Sequence, residues 1–300
     1  MEHRRDFPPM GRLENARVIE KGEFHYLLVE MAYFPDPQPV NWDLSLQIQQ
    51  FSDPFQFVEV ENISASSIEI SFDTINFPSR NQAFTFADEI KRGAPEQIEV
   101  TFHGRKSDLP DPEILLRFVE FQALYEISKP LLKKLGEKAA DKLVDSAVDS
   151  GSKVAKYLLK VLKDAFNQMI PLAKPVCVLF DIPGEPHIEL LMKTRDESVL
   201  KKAFGKKRLD KVRAKIDELS KVVPIAKIQF VLTTDNKWKF NYLITKKGQT
   251  IGTKESFKKR TNVYNSLTNK HSKAANRYLK KANNNEKQNV PIIFGKPLSE

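Results

Sequence analysis

The amino-acid sequence predicts an α+β protein with an N-terminal antiparallel β-sandwich-like domain, a central helical pair and a basic C-terminal α+β domain. Three observations predict this class. Residues 24–103 contain short apolar or alternating runs separated by turn residues, which is the pattern of strands. Residues 111–170 repeat apolar side chains mostly at spacings of three and four, which is the pattern of helices. Residues 176–281 contain both patterns in turn.

The first 110 residues are assigned to an acidic β-rich domain. Strands are predicted at intervals of roughly ten residues, a spacing typical of an antiparallel sheet or sandwich. Residues 44–51 illustrate the pattern, because Leu44, Leu46 and Ile48 alternate with polar residues and so define one buried face. The predicted strands cover residues 24–34, 44–51, 55–61, 68–72 and 98–102.

Residues 111–171 are assigned to a helical segment. Asp111 followed by Pro112 is typical of a helix start, with an N-cap and a proline in the first turn. A second helix is predicted over residues 131–170. Lysines flank its apolar stripe, so it is either a helix on an anionic membrane surface or a core or partner-facing helix, and we favour the latter.

Residues 172–254 are assigned to a basic α+β domain, and residues 255–300 to a basic helical tail with an apolar C-terminal peptide. The domain is predicted to open with a hairpin whose turn is residues 183–186. A helix over residues 196–220 and three further strands follow. The C-terminal peptide, residues 290–294, is expected to dock on the chain itself or on a partner's sheet edge.

Charge divides the chain into two unlike halves. Residues 1–128 contain 11 Lys and Arg against 22 Asp and Glu, whereas residues 129–300 contain 37 against 17. A basic half of this kind attracts nucleic acid, a membrane surface or an acidic protein, or it docks on the acidic half. A solvated surface without a partner is the plainer alternative.

Two blocks concentrate the positive charge. Residues 201–215 contain eight cations and one acid, Asp210, and residues 246–281 contain eleven Lys and Arg and one acid, Glu255. A phosphate backbone binds such density because each neutralised phosphate releases counterions. The predicted nucleic-acid-binding residues are Lys201, Lys202, Lys206, Lys207, Arg208, Lys211, Arg213, Lys215, Lys258, Lys259 and Arg260.

Residue spacing argues against the common cofactor and catalytic sites. None of the eleven glycines belongs to a phosphate-binding loop, and five scattered histidines with one cysteine do not make the usual zinc site. Cys177 lies in an apolar run and is predicted to be a core thiol, although His187 across the hairpin offers a reactive pair as an alternative. No catalytic residue, metal ligand or cofactor is therefore predicted, and a non-enzyme is favoured.

A divalent-metal-dependent nuclease is the least favoured of three functional alternatives. Many nucleases of the restriction-enzyme type place an acid on one strand and an acid-x-Lys pair on the adjoining strand. Here Asp181 ends one predicted strand, and Glu189 and Lys193 lie on the next. Four positions separate Glu189 from Lys193, about 13 Å along a strand, so the spacing departs from that pattern.

The favoured function is that of a non-enzymatic binding protein whose basic C-terminal half engages nucleic acid or another polyanion. The second alternative is an interaction or assembly subunit that uses the long helix over residues 131–170 and the acidic β domain. A protein partner or self-association is compatible with either. We expect no insertion into a membrane, because no apolar run is long enough, and we expect a cytoplasmic location, which suits a single unpaired cysteine.

Overall fold

The computed structural model describes residues 5–22, 24–33, 36–50, 68–96, 98–103, 111–118, 124 and 147–266. It contains helices and a large mixed sheet, so the α+β class is confirmed. The strands are β1 (Gly11–Lys21), β2 (Phe24–Tyr33), β3 (Gln38–Pro39), β4 (Leu46–Gln49), β5 (Ile68–Asp73), β6 (Ile98–His103), β7 (Glu113–Phe118), β8 (Val176–Ile182), β9 (His187–Thr194), β10 (Ile225–Leu232), β11 (Trp238–Thr245) and β12 (Thr250–Thr253). The helices are α1 (Arg80–Gly93), α2 (Ala147–Gln168), α3 (Glu197–Ala203), α4 (Lys206–Ser220) and α5, over residues 254–266.

Ten strands form one sheet in the order β3-β4-β12-β11-β10-β9-β8-β7-β5-β6, and β1 pairs with β2 in a separate hairpin. The pairs β5–β6, β7–β8 and β9–β10 are parallel. Among the N-terminal strands, β1–β2 and β3–β4 are antiparallel as expected, whereas the expectation is wrong for β5–β6. The physical reason is the same for each parallel pair. A helical connection carries the chain back along the sheet, and two strands joined in this way run in the same direction.

The sheet does not follow the predicted boundaries between domains. β4 pairs with β12 through Ile48 and Ile251, and β7 pairs with β8 through Leu116 and Phe180. Strands that were assigned to the domains of residues 1–110 and 172–254 therefore share one sheet, and the described strands form no separate sandwich. Such pairings join positions far apart in the sequence, and local periodicity carries no information about them.

The helix predicted to start at Asp111 is wrong, because β7 occupies that position. Ile114, Leu116 and Phe118 enter the core, while Glu113 and Arg117 lie on the opposite face, as the period of a strand requires. The apolar pair of residues 115 and 116 obscured this alternation. Pairing with β5 on one side and β8 on the other then decides the strand conformation.

The helix α1 was not predicted at all, although its sequence signals are local. Ser79 caps it by accepting a hydrogen bond from the Gln82 amide. Its buried residues recur at helical spacing and are Ala83, Phe86, Ala87 and Ile90. The strand-like runs on both sides of residues 80–93 obscure this helical period in the sequence.

One face of the sheet carries the hydrophobic core, and α1 to α4 cover it. The ring of Phe86 on α1 packs 5.1 Å from Phe72 of β5, and Phe204, next to α3, packs 4.6 Å from Phe180 of β8. Edge-on aromatic pairs of this kind add to the burial of apolar area that holds the helices on the sheet. Alternate strand residues join this core, among them Ile70, Ile114, Val178, Leu190 and Ile228.

The long helix predicted over residues 131–170 is described only from Ala147 onward, as α2, and residues 131–146 lie outside the described part. Leu158, Leu162 and Ala165 face the core. Its opposite side exposes Lys153, Lys156, Lys160 and Lys163. Within the described part of the chain, the helices lack the combined length and apolarity that a membrane crossing requires.

The helix predicted over residues 196–220 is divided into α3 and α4 at Phe204 and Gly205. Phe204 turns into the core, and Gly205 becomes the N-cap residue of α4. Of the predicted tail, only the residues up to 266 are described, in α5. The apolar peptide of residues 290–294 and its expected docking lie outside the described residues.

The helix α5 folds back closely on β12. A Cβ atom added at Gly252 would lie 2.9 Å from Ser256 Oγ, 3.2 Å from Tyr242 Cβ and 3.3 Å from the Asn241 carbonyl oxygen. The first of these separations is shorter than van der Waals contact allows. Only glycine at position 252 permits α5 to approach the strands this closely.

We expect Gly252→Ala to lower the free energy of unfolding by about 1–3 kcal/mol, because the added methyl group overpacks the contact with α5. Gly93→Ala is the matched control, since its Cβ would meet only the Tyr157 ring, at an ordinary 3.7 Å. Adding Ser256→Ala to Gly252→Ala should restore part of the loss. Urea denaturation measures all three, and equal stability of the two alanine variants would contradict the close approach.

Candidate functional site on the polar face of the sheet

The face of the sheet opposite α1 to α4 carries a continuous line of polar side chains. These residues are direct register partners on neighbouring strands, so the pleat places their side chains on the same side, about 5 Å apart. We call the set the polar row. It consists of Glu69, Arg117, Asp181, Glu189, Gln229 and Tyr242, on β5, β7, β8, β9, β10 and β11.

Arg117 links the first part of the polar row. Its Nε donates to Asp181 Oδ2 at 2.8 Å, and its Nη1 donates to Glu69 Oε2 at 3.1 Å. The Thr101 hydroxyl donates to the other oxygen of Glu69 at 2.7 Å. A guanidinium between two carboxylates uses its fork of donors on both, which fixes all three side chains.

Glu189 is the most deeply enclosed acid of the row, with 2% of its surface exposed. Lys227 Nζ lies 2.7 Å from Glu189 Oε1, and Gln229 Nε2 donates to Oε2 at the same distance. Burial opposes ionisation of Glu189, but the Lys227 charge and these hydrogen bonds outweigh it and lower its pKa. Asn241 Nδ2 donates to Gln229 Oε1 at 2.7 Å and so orients the amide.

Asp181 lies directly opposite Glu189 in the register and is also buried. His187, at the start of β9, places its Nε2 2.5 Å from Asp181 Oδ1. Burial opposes ionisation here too, but the bonds and charges of His187 and Arg117 lower the pKa of Asp181 to about 2. One potential ligand atom from each of Asp181, His187 and Glu189 lies within 4.8 Å of the other two.

An apolar row runs beside the polar row and separates it from a second polar patch. The apolar row consists of Leu115, Leu179, Leu191 and Val231. Beyond it, Glu113, Cys177 and Lys193 are register partners. The face thus alternates between charged and apolar stripes.

The N-terminal segment of residues 5–9 covers this second patch. Arg5 Nε donates to Glu113 Oε1 at 3.2 Å, and Arg5 Nη1 lies 3.9 Å from Glu189 Oε1. The buried Asp6 places Oδ2 3.0 Å from Lys193 Nζ and also binds Lys259 of α5. The segment therefore bridges β7, β9 and α5 by charge pairs.

Cys177 is buried, as predicted, and packs against Leu179 and Leu191. Burial in this apolar contact raises the pKa of its thiol strongly, which leaves the sulfur protonated and unreactive. Cys177 pairs with Lys193 in the register, so His187 lies about 20 Å away along β9. The alternative of a reactive pair between Cys177 and His187 is therefore wrong.

The structure brings together part of the predicted nuclease set. Asp181 and Glu189 face each other, but Lys193 bonds to Asp6 and lies near Asp111 instead. The ammonium beside Glu189 belongs to Lys227, which sequence reasoning did not single out. The pairing of Asp181 with Glu189 was accessible from the hairpin alone, because the two strands pair symmetrically about residue 185.

The predicted basic residues fall into groups with different surroundings. Lys202, Lys206, Lys207, Lys211, Arg213 and Lys258 are exposed, and Lys201 lies in α3. Arg208 and Lys215 are partly buried and bond to the Lys202 carbonyl and to Glu218. Lys259 binds Asp6, and the buried Arg260 donates to the Pro9 carbonyl at 3.0 Å and to Gln49.

Comparison of the chain with protein-family models, curated proteins and solved structures finds no match.

We expect Cys177 to resist a water-soluble alkylating reagent in the native protein and to react fully after unfolding in denaturant. The thiol is 3% exposed, and its raised pKa keeps the thiolate population negligible near neutral pH. Because the chain has one cysteine, the mass shift reports this residue alone. Rapid labelling of the folded protein would overturn the assignment to the interior.

We expect Asp6→Asn to lower the free energy of unfolding by about 1–3 kcal/mol near neutral pH, because two lysines lose their shared charged acceptor. Burial opposes ionisation of Asp6, but Lys193 and Lys259 outweigh it and hold its pKa well below the usual range. The stabilisation is therefore present above the ordinary pKa near 4 and is lost as the pH falls toward the folded value.

The measurement is urea denaturation of wild type and Asp6→Asn at neutral pH and at about pH 3, where the difference should shrink. Glu185→Gln is the control, because its ion pair with Lys246 is exposed and contributes little. Equal stability of Asp6→Asn and wild type at neutral pH would show that the N-terminal segment is not held by this carboxylate.

Proposed function

We propose that the protein binds a polyanion, with nucleic acid as the leading candidate, through the basic surface of α4. The supporting observation is the position of its cations. Lys206, Lys207, Lys211 and Arg213 are exposed on the outer side of α4, while Leu209 and Val212 face the sheet. The helix is thereby fixed on the core with its positive charge turned to solvent.

The first turn of α4 favours this function over a purely structural role. It begins with Lys206, Lys207 and Arg208, contains no acid, and has Gly205 as an N-cap residue that makes no side-chain hydrogen bond. The positive end of the helix dipole disfavours cations at this end, each by about 0.3–1 kcal/mol. A bound anion reverses that penalty, because backbone N–H groups and lysines then act on the same negative charge.

The chemistry of the surface favours phosphates over bases. Lysines dominate it, and lysine binds phosphate as a compact point charge without the planar fork of donors that arginine offers. Phe257, in the second basic block, is buried beneath Arg260, whose guanidinium carbon lies 5.0 Å from the ring centre. That ring is closed to base stacking, so we expect binding with little sequence preference.

The second basic block contributes less than the sequence implied. Arg260 and Lys259 are engaged with Gln49, Pro9 and Asp6, which leaves Lys258 as the exposed member of the predicted set on α5. α5 also packs at a different part of the sheet from α4. We therefore base the proposed surface on α4 and its neighbour Lys202, with Lys258 as a separate contact.

We expect the triple variant Lys206→Glu, Lys207→Glu and Lys211→Glu to weaken binding to a mixed-sequence duplex by at least about tenfold at low salt. In the wild type, log K should fall linearly with log salt concentration, with a slope of about −0.9 per contacted phosphate. The triple variant should show a shallower slope. Fluorescence anisotropy of a labelled duplex and of a labelled single strand measures both quantities.

The control reverses three exposed lysines of α2, Lys153, Lys156 and Lys160, and so changes the net charge by the same amount. Binding retained by this control but lost by the α4 variant locates the site on α4. Equal losses would indicate an effect of net charge alone, and unchanged binding of the α4 variant would refute the proposed surface. Thermal melting shows whether both variants fold.

A further inference from the structure

We propose that Asp181, His187 and Glu189 form a binding site for one divalent cation of the Mn²⁺ and Mg²⁺ class. This inference goes beyond polyanion binding, and the two sites are separate. α4 lies on the helical face of the sheet, whereas these three residues lie on the opposite face.

The backbone register holds the three side chains together. Asp181 and Glu189 are opposite partners on β8 and β9, and His187 lies two residues before Glu189 on the same face of β9. Their potential ligand atoms lie within 4.8 Å of one another. Ligand atoms that each bond one ion at about 2.1 Å lie about 3–4 Å from one another. Side-chain rotations that move the three ligand atoms by about 1 Å therefore bring them to these separations.

Each of the two carboxylates accepts a hydrogen bond from a residue outside the proposed site, as metal-binding carboxylates commonly do. Arg117 donates to Asp181 Oδ2, and Gln229 donates to Glu189 Oε2. Each bond fixes one oxygen of its carboxylate and leaves the other, which we call the inner oxygen, to contact His187 at Asp181 Oδ1 or Lys227 at Glu189 Oε1. Outer partners of this kind orient ligands and commonly change metal affinity by 10–100-fold when removed.

The groups that now contact the inner oxygens are compatible with an ion. His187 Nε2 meets Asp181 Oδ1, and Lys227 Nζ meets Glu189 Oε1. A divalent ion takes the place of the positive charge at the centre, and neutral His187 supplies a nitrogen lone pair to it. Lys227 then competes with the ion for Glu189 Oε1, and Arg5 Nη1, 3.9 Å from the same oxygen, competes more weakly.

The donor set selects among metals. Two carboxylate oxygens suit Mg²⁺, Mn²⁺ and Ca²⁺, and one imidazole nitrogen adds affinity for transition metals. We therefore expect Mn²⁺ to bind more tightly than Mg²⁺, and both more tightly than Ca²⁺. Three protein ligands leave positions of an octahedral ion for water or for an anion such as phosphate.

The test is titration of the chelator-treated, full-length protein with Mn²⁺ at slightly alkaline pH, followed by electron paramagnetic resonance and by calorimetry. We expect one ion per chain and a rise in melting temperature with Mn²⁺ concentration, because the ion binds the folded state. Asp181→Asn, Glu189→Gln and His187→Gln should each weaken binding by about tenfold or more.

Glu113→Gln is the matched control, because Glu113 is a buried carboxylate of the same face that lies outside the proposed site, and the amide oxygen that replaces its carboxylate can still accept from Arg5 Nε. It should keep the wild-type affinity for Mn²⁺. Lys227→Met should bind Mn²⁺ at least as tightly as wild type, since it removes the competing ammonium. If the three residues serve only as an ion-pair network, neither the wild type nor any variant binds Mn²⁺ stoichiometrically.

His187→Gln decides the outcome if a buried carboxylate variant fails to fold, because His187 is partly exposed at the beginning of β9. Circular dichroism in chelator confirms that each variant is folded before titration. Loss of Mn²⁺ binding in His187→Gln with retention in Glu113→Gln supports the site. Equal affinity of His187→Gln and wild type, or equal losses in His187→Gln and Glu113→Gln, overturns it.

Discussion

The buried carboxylates of Asp181 and Glu189 face each other across β8 and β9, and the polar side of the sheet is organised around the need to balance them. Two like charges in direct register destabilise a strand pair unless cations act on both. Arg117 comes from β7, Lys227 from β10 and His187 from the start of β9. These groups belong to three strands, β7, β9 and β10, so they meet the two carboxylates only in this strand order.

The same constraint accounts for the N-terminal segment. Arg5 reaches Glu113 and approaches Glu189, and Asp6 receives Lys193 and Lys259. The N-terminal segment therefore supplies the charges that pair with Glu113 of β7, Lys193 of β9 and Lys259 of α5. Breaking a buried pair costs more than an exposed one, because the remaining charge stays out of water.

The two faces of the sheet separate two kinds of chemistry. Helices cover the apolar face and turn their lysines to solvent, where the charge is accessible to a polyanion. The opposite face keeps its charges paired and largely buried, in stripes divided by leucines. Alternation along each strand produces both faces from one sequence, since successive side chains point to opposite sides.

The sequence alone determined the α+β class, the β8–β9 hairpin, the apolar side of α4 and the burial of Cys177, because each depends on local periodicity or turn residues. It also located the exposed lysines of α4. The tertiary structure alone decided that β7 is a strand, that the pairs β4–β12 and β7–β8 join the two halves of the chain, and that Lys227 rather than Lys193 lies beside Glu189. Those outcomes depend on pairing between distant segments, which local spacing does not encode.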